Sequence, residues 1–379
     1  MLSVFASMWG KFASLIMSLS MMFGTTFGLF VPATTTAPED YLDSNIKNVI
    51  YLIGDGMGFN HLEKAKNERN IELTMDSFDY QGESMTRSFS NAVTDSAAGG
   101  TALATGVRTL NGAIGVYPMD VTGTFTHPKS LTELCLESGK LTGVITTDET
   151  SGATPASFSA HSSDRGNTED ITEDQLVSDI DLIWGAQNGV ATKEDAEANG
   201  FTYVTTTAEM LALKEGSRSF AQFTNDLWTL APSDINTPNL EMMTKKAIDI
   251  LDDTEEGFFL MVEGAHIDKH SHSNEDAKMT EALQEFDETI EYVLEYAKAD
   301  GETLVIITAD HETGAIIANS DGTYSFTSGS HSAANVPVLV YGSEVLIQNG
   351  EVLNNYEIPI RIAYILGFTE EDFPFEVAA

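Results

Sequence analysis

The 379 residues include a single cysteine, Cys135, so no disulfide can close within the chain. Its neighbours over 131–136 have helical character, and the thiol reads as buried and inert. Basic residues are scarce too. Nineteen Lys and Arg stand against 58 Asp and Glu, a formal net charge of −39. That excludes a general nucleic-acid binder, because phosphate backbones would be repelled. The acidic residues are dispersed and form no tail, which makes a solvated acidic surface of the kind that stays soluble in high salt. A halophilic or marine source is expected, and a protein most stable in fresh water would contradict it. Internal repeats and long low-complexity blocks are also missing, which sets aside repeat architectures.

What is present is a hydrophobic content of 42%, enough for a large core at this length. The length admits two or three domains, or one large α/β domain. The N-terminal stretch looks like a targeting segment. Lys11 is followed by a mostly apolar run over 12–31, then by Ala33-Thr34-Thr35-Thr36-Ala37-Pro38, which suits a cleavage region. Residues 1–37 therefore read as a signal peptide or, if uncleaved, a membrane anchor. A start at Met8 would make the signal peptide more ordinary. Either way residues 38–379 are expected outside the cytoplasm, periplasmic or secreted, with no stable membrane insertion after processing.

Five short apolar runs read as buried strands: 47–53, 140–147, 257–262, 303–308 and 336–341. Helical spacing marks 60–70, 97–105, 240–251 and a long amphipathic stretch around 279–294. The alternation predicts an α/β fold: a large, mainly parallel central sheet with helices on both faces, in a single domain. Residues 184–238 are less periodic and more polar. They read as a peripheral, lid-like excursion of short helices and loops.

The polar groups fall where such a sheet would use them. Asp55, Glu263, Asp268, Asp310 and His311 each follow an apolar strand, and strand ends share one edge of a parallel sheet. His272 and His331 add two imidazoles. Each residue alone has an ordinary explanation as turn or surface, but loops do not need so many together. Mixed His and Asp ligands suit zinc, and oxygen-only ligands suit magnesium. Ser96 opens the small-residue run 97–105, which stops at Gly106. Taken alone, Ser96 reads as a plain N-cap. The free N–H groups of a helix start also suit an anion.

With these residues assembled, the chain resembles the bacterial alkaline phosphatases. The matching motifs are Gly54-Asp55-Gly56-Met57-Gly58, Thr94-Asp95-Ser96-Ala97, Ala153-Thr154-Pro155-Ala156, Val262-Glu263-Gly264-Ala265, Asp268 with His272, Thr308-Ala309-Asp310-His311-Glu312-Thr313-Gly314, and Gly329-Ser330-His331-Ser332. They stand in the family's order and run to the end of the chain. The resemblance implies two zinc ions and one magnesium ion. One zinc would be held by Asp268, His272 and His331, and the other by Asp55, Asp310 and His311 beside Ser96. Magnesium would be held by Asp55, Thr154 and Glu263. Ser96 would be the nucleophile, forming a phosphoserine, and Arg165 the phosphate clamp. Four carboxylates against one arginine leave a formal site charge of about −3, and three divalent ions bring it to about +3, so the metal-free site should repel a phosphate dianion. Broad phosphate monoester specificity and a homodimer are further implications of the resemblance.

The chain departs from the family at Gly152, where many members carry an Asp or His. Lys269 matches a lysine that pairs with that Asp in some members. Without it, Lys269 is expected to turn toward the phosphate as a substrate-binding residue, and the magnesium site to loosen. Gly152→Asp should then change magnesium dependence and pH optimum. His161, His266 and His270 read as supporting or surface residues. Two alternatives remain at this point. One is a phosphodiesterase or sulfatase of the same superfamily, and the other is a secreted metal- or phosphate-binding protein without turnover.

Overall fold

Strand β1, Asn48–Gly54, is buried along its whole length. Its side chains alternate between two cores. Ile50 and Leu52 join one, while Val49, Tyr51 and Ile53 join the other. A strand apolar on both faces needs cover on both, which is why it sits inside a layered α/β fold. The computed structural model describes residues 41–118, 125–223, 237–252 and 254–374. They belong to the unit Ala37–Ala379. The leader expected over 1–37 lies outside the described residues. Among the described residues, no helix is long and apolar enough to cross a membrane.

The central sheet has ten strands. After β1 they are β2 (Tyr80–Met85), β3 (Leu141–Glu149), β4 (Leu182–Ala186), β5 (Thr202–Val204), β6 (Ser219–Phe223), β7 (Phe258–Gly264), β8 (Thr303–Thr308), β9 (Val336–Tyr341) and β10 (Val352–Asn354). Their order across the sheet is β10-β2-β9-β8-β1-β7-β3-β4-β6-β5. Only β9 breaks the parallel run, pairing antiparallel with both β8 and β2. The expected α/β fold with a mainly parallel sheet is therefore what the chain adopts.

One face is covered by α1 (Phe59–Arg69) and two helices introduced below; the other is covered by α2 (Ser96–Thr105), α3 (Leu131–Glu137) and the C-terminal helix. Besides Thr168–Val177 and two short helices near one sheet edge, the others are, in chain order, α4 (Ala153–Ser157), α5 (Leu240–Leu251), α6 (His266–His272), α7 (Asp276–Asp300) and α8 (Glu357–Ile365). Met243, Ala247 and Leu251 of α5 and Leu283, Phe286 and Ile290 of α7 complete the first core. Leu103, Leu134 and Ile362 help complete the second. Cys135 is buried there, and burial pushes its thiol up to about 12, so it stays protonated and unreactive.

The stretch read as a peripheral excursion carries more sheet than its sequence suggests. It is peripheral in lying toward one edge, but Leu182–Ala186, Thr202–Val204 and Ser219–Phe223 are parallel strands of that edge. Trp184 is wholly buried, and its Nε1 donates to Ser219 Oγ at 2.9 Å. Short helices, Lys193–Ala198 and Thr207–Ala212, link them. Runs of three to five residues are too short to display a period. Residues 224–236 of the excursion lie outside the described residues.

Candidate active site

Register places the first carboxylates. Ile53 lies opposite Thr308 on one side and Glu263 on the other, so Asp55, Glu263 and Asp310 emerge together at the strand ends. The turn after β1 is tight. Gly56 sits at φ +72, and a Cβ there would lie 2.9 Å from the Asp268 backbone. Only glycine allows that approach. The Gly56 amide donates to Asp310 Oδ1 at 3.2 Å, tying the two strand ends together.

Two acceptor clusters result. In the first, His311 Nε2 lies 3.5 Å from Asp55 Oδ1 and 3.2 Å from Asp310 Oδ2. In the second, Asp268 and His272 stand one turn apart on α6, and His331 arrives from the two-residue strand His331–Ser332, which pairs with Glu312–Thr313. His272 Nε2 is 3.4 Å from Asp268 Oδ2, and His331 Nε2 is 3.7 Å from Asp268 Oδ1. The rings of His311 and His331 stack with centroids 3.6 Å apart, so the clusters adjoin.

Hydrogen bonding fixes which ring nitrogens carry protons. His331 Nδ1 faces the Thr94 carbonyl at 2.9 Å, and His272 Nδ1 faces the Gly329 carbonyl at 2.8 Å. Carbonyls only accept, so both Nδ1 atoms donate and, in the neutral rings, both Nε2 atoms present lone pairs. Those lone pairs face each other at 3.1 Å. His311 Nδ1 faces Thr313 Oγ1 at 3.2 Å, and that hydroxyl donates to Asp268 Oδ1 at 2.5 Å. His311 Nε2 is therefore a lone pair as well. Asp55 Oδ1 and Asp310 Oδ2 are buried without any hydrogen-bond partner. Orphaned carboxylate oxygens and opposed nitrogen lone pairs are costly unless a cation takes them up. Each cluster offers three donors within 4.8 Å of one another, a set that fits a divalent transition metal.

The electrostatics agree. Burial, then Asp310, Asp268 and Glu263, raises the Asp55 carboxyl well above the usual carboxylate range. Burial also raises Asp310 and lowers the His311 imidazole to about 3. Burial, then the Asp148 carboxylate, pushes Glu263 up to about 8. Without cations the site resists its own ionisation.

A third, oxygen-lined pocket lies on the other side of Asp55. Thr154 Oγ1 is 3.5 Å from Asp55 Oδ2, and Glu263 Oε2 accepts a hydrogen bond from Thr146. These hard oxygen donors suit magnesium.

Ser96 is not the cap of its helix. Asp95 is, and its side chain accepts from the Ala98 amide at 3.1 Å. Ser96 is the first helical residue, 4% exposed, and its hydroxyl lies 3.1 Å from His311 Nε2. The other Asp95 oxygen accepts from the Gly112 amide at 2.9 Å and from Arg165 Nη1 at 3.1 Å. One carboxylate thus anchors both the serine's helix and the arginine.

Lys269 has a partner that the sequence reading did not give it: it is ion-paired with Asp148. The Asp148 carboxylate lies against Gly152, with its Oδ2 2.6 Å from where a Cβ there would be. His161 lies between the Gly115 carbonyl and Glu133, His266 contacts Thr147, and His270 contacts Glu275. Sequence reading carried Asp95 and Thr313 inside motifs without giving either a role, and it passed over Asp148. The signal available for Asp95 was the ordinary preference of Asp for an N-cap.

A family model for alkaline phosphatase matches residues 46–183 and 177–341. Alkaline phosphatase 4 of Bacillus subtilis is 33% identical over 343 residues, covering 85% of this chain and 73% of its own. The alkaline phosphatase of the Antarctic bacterium TAB5 is 31% identical with a TM-score of 0.72, over 86% of this chain and 99% of that one. A variant of that protein has magnesium bound in its M3 site. The alkaline phosphatase of Thermus thermophilus, only 20% identical, shares the fold at a TM-score of 0.76 over 89% and 96% of the two chains. Since the matched residues run from the first sheet strand through the ninth, and similarity holds in both sequence and fold, the chain belongs to the alkaline phosphatase family of phosphoric monoester hydrolases.

Proposed function

We infer that this chain hydrolyses phosphate monoesters of broad range through a phosphoserine on Ser96, with two zinc ions and one magnesium ion. Asp268, His272 and His331 would hold one zinc ion, Asp55, Asp310 and His311 the other, and Asp55, Thr154 and Glu263 the magnesium ion. When bound, the cations supply the positive charge that lets the acidic pocket accept a phosphate dianion, and they favour ionised oxygen nucleophiles at neutral to alkaline pH. Ser96 Oγ, its proton lost to solvent, attacks phosphorus; the bond to the ester oxygen breaks, and the departing oxygen takes up a proton from solvent to leave as the alcohol. Water then cleaves the phosphoserine, releasing inorganic phosphate and restoring the hydroxyl. The free N–H groups at the start of α2 favour the serine's ionised form. Arg165 offers a planar fork to two phosphate oxygens, and Asp95 aims it. Every one of these groups addresses the phosphoryl group, and none is assigned to the alcohol, which is the basis for broad specificity.

The observation that carries the reading is the Ser96 hydroxyl beside His311 Nε2, in a pocket whose buried acceptors lack partners. Hydrolysis of p-nitrophenyl phosphate tests it, compared with the bis(p-nitrophenyl) diester and the sulfate. The monoester should be strongly preferred. Activity should vanish with chelator and in Ser96→Ala, and labelled phosphate should be trapped on Ser96 in the native chain. Preference for diester or sulfate, or turnover surviving Ser96→Ala, would overturn it.

A further inference from the structure

Strand β3 carries an irregularity beside the site. Ile145 lies opposite Trp184 and Glu149 opposite Ala186, so four steps on β3 match two on β4. The excess is absorbed over 146–148, a bulge that re-aims side chains. All three of its residues reach toward the stretch that carries Glu263 and Lys269. Thr146 donates to Glu263, Thr147 Oγ1 accepts from the Ala265 amide at 3.0 Å, and Asp148 pairs with Lys269. Room for the bulge is left on two sides. A Cβ at Gly152 would lie 2.6 Å from Asp148 Oδ2, and one at Gly185 would lie 2.7 Å from the Asp148 carbonyl. Gly152 has φ −52 and ψ 151, a backbone open to any residue, so space and not torsion keeps it glycine.

Lys269 is also attracted by Glu263 and Asp55, the two carboxylates of the oxygen-lined pocket. An ammonium settling there would neutralise the charge that a divalent cation needs. We propose that Asp148 is a positioning residue of that pocket: by pairing with Lys269 it keeps the ammonium off Glu263 and Asp55, leaving both for a divalent cation. The inference rests on the reading of Asp55, Thr154 and Glu263 as a magnesium site.

The test is calorimetric titration of magnesium into the zinc-loaded, magnesium-free full chain. Asp148→Asn, close in shape, should weaken magnesium binding about 10-fold, the scale of lost supporting contacts at metal sites. Removing the competitor should reverse the loss, so Asp148→Asn with Lys269→Met should return to the native affinity. Lys269→Met alone should bind at least as tightly as the native chain, which keeps the proposal testable if Asp148→Asn folds poorly. Native affinity in Asp148→Asn, no recovery in the double variant, or weaker binding in Lys269→Met would each overturn the proposal. Failure of the native chain to bind magnesium would instead remove the site reading beneath it.

Discussion

Asp55 joins one of the two His-bearing clusters to the oxygen-lined pocket, yet clusters and pocket are held in different ways. In the clusters, backbone carbonyls of Thr94 and Gly329 and the Thr313 hydroxyl orient the rings. In the pocket, orientation comes from Thr146 and from the Lys269–Asp148 ion pair. A backbone carbonyl moves only if the fold moves, whereas an ion pair is lost with one substitution. The clusters should therefore be the robust half of the site and the pocket the tunable half.

The largest test of that contrast removes a cluster donor. His331→Ala should lower kcat/KM on p-nitrophenyl phosphate by roughly 10³-fold or more, whereas Thr154→Val, on the pocket side, should cost far less. Equal losses would erase the distinction. Thr313→Val takes away the hydroxyl between Asp268 and His311 while leaving both ligands, and should weaken zinc retention during dialysis about 10- to 100-fold. Asp95→Asn keeps a good helix cap but discharges the partner of Arg165. Its melting temperature should stay near native while KM shifts a few-fold, as judged by steady-state kinetics.

The smallest effect concerns a buried carboxylate away from the site. Burial pushes Glu285 up to about 8, against the opposing effect of the Leu240 amide that donates to it. A raised folded-state value means the folded chain holds a proton that the unfolded chain releases. The stabilisation is complete below the unfolded value near 4.5 and is lost as pH rises through 8. Glu285→Gln should thus gain stability relative to native at pH 8 to 9 but not at pH 4, by roughly 2–4 °C in thermal melts. A pH-independent difference would show that burial does not set this group's ionisation.

The convergence of the candidate site was legible because parallel topology turns position in sequence into position in space. Asp55, Glu263 and Asp310 each stand at or just past the end of a buried apolar strand, and such ends meet at one edge. What supports them was not legible. Asp148 also comes after an apolar run, but it lies within β3 and its aim depends on a bulge that no residue pattern announces. Asp95 and Thr313 are ordinary in type and gain meaning only from neighbours distant in sequence. The sheet's edges were missed for a related reason. β2 (Tyr80–Met85) alternates weakly and is half exposed, and β10 has three residues, so neither carries an apolar signature.

Thr313 has one more consequence. Its oxygen touches an acid of one cluster and an imidazole of the next, so an ion entering one cluster would stiffen a side chain of the other. Zinc uptake by the emptied protein should then be sigmoidal, with half-filled molecules rare, and the steepness should flatten in Thr313→Val.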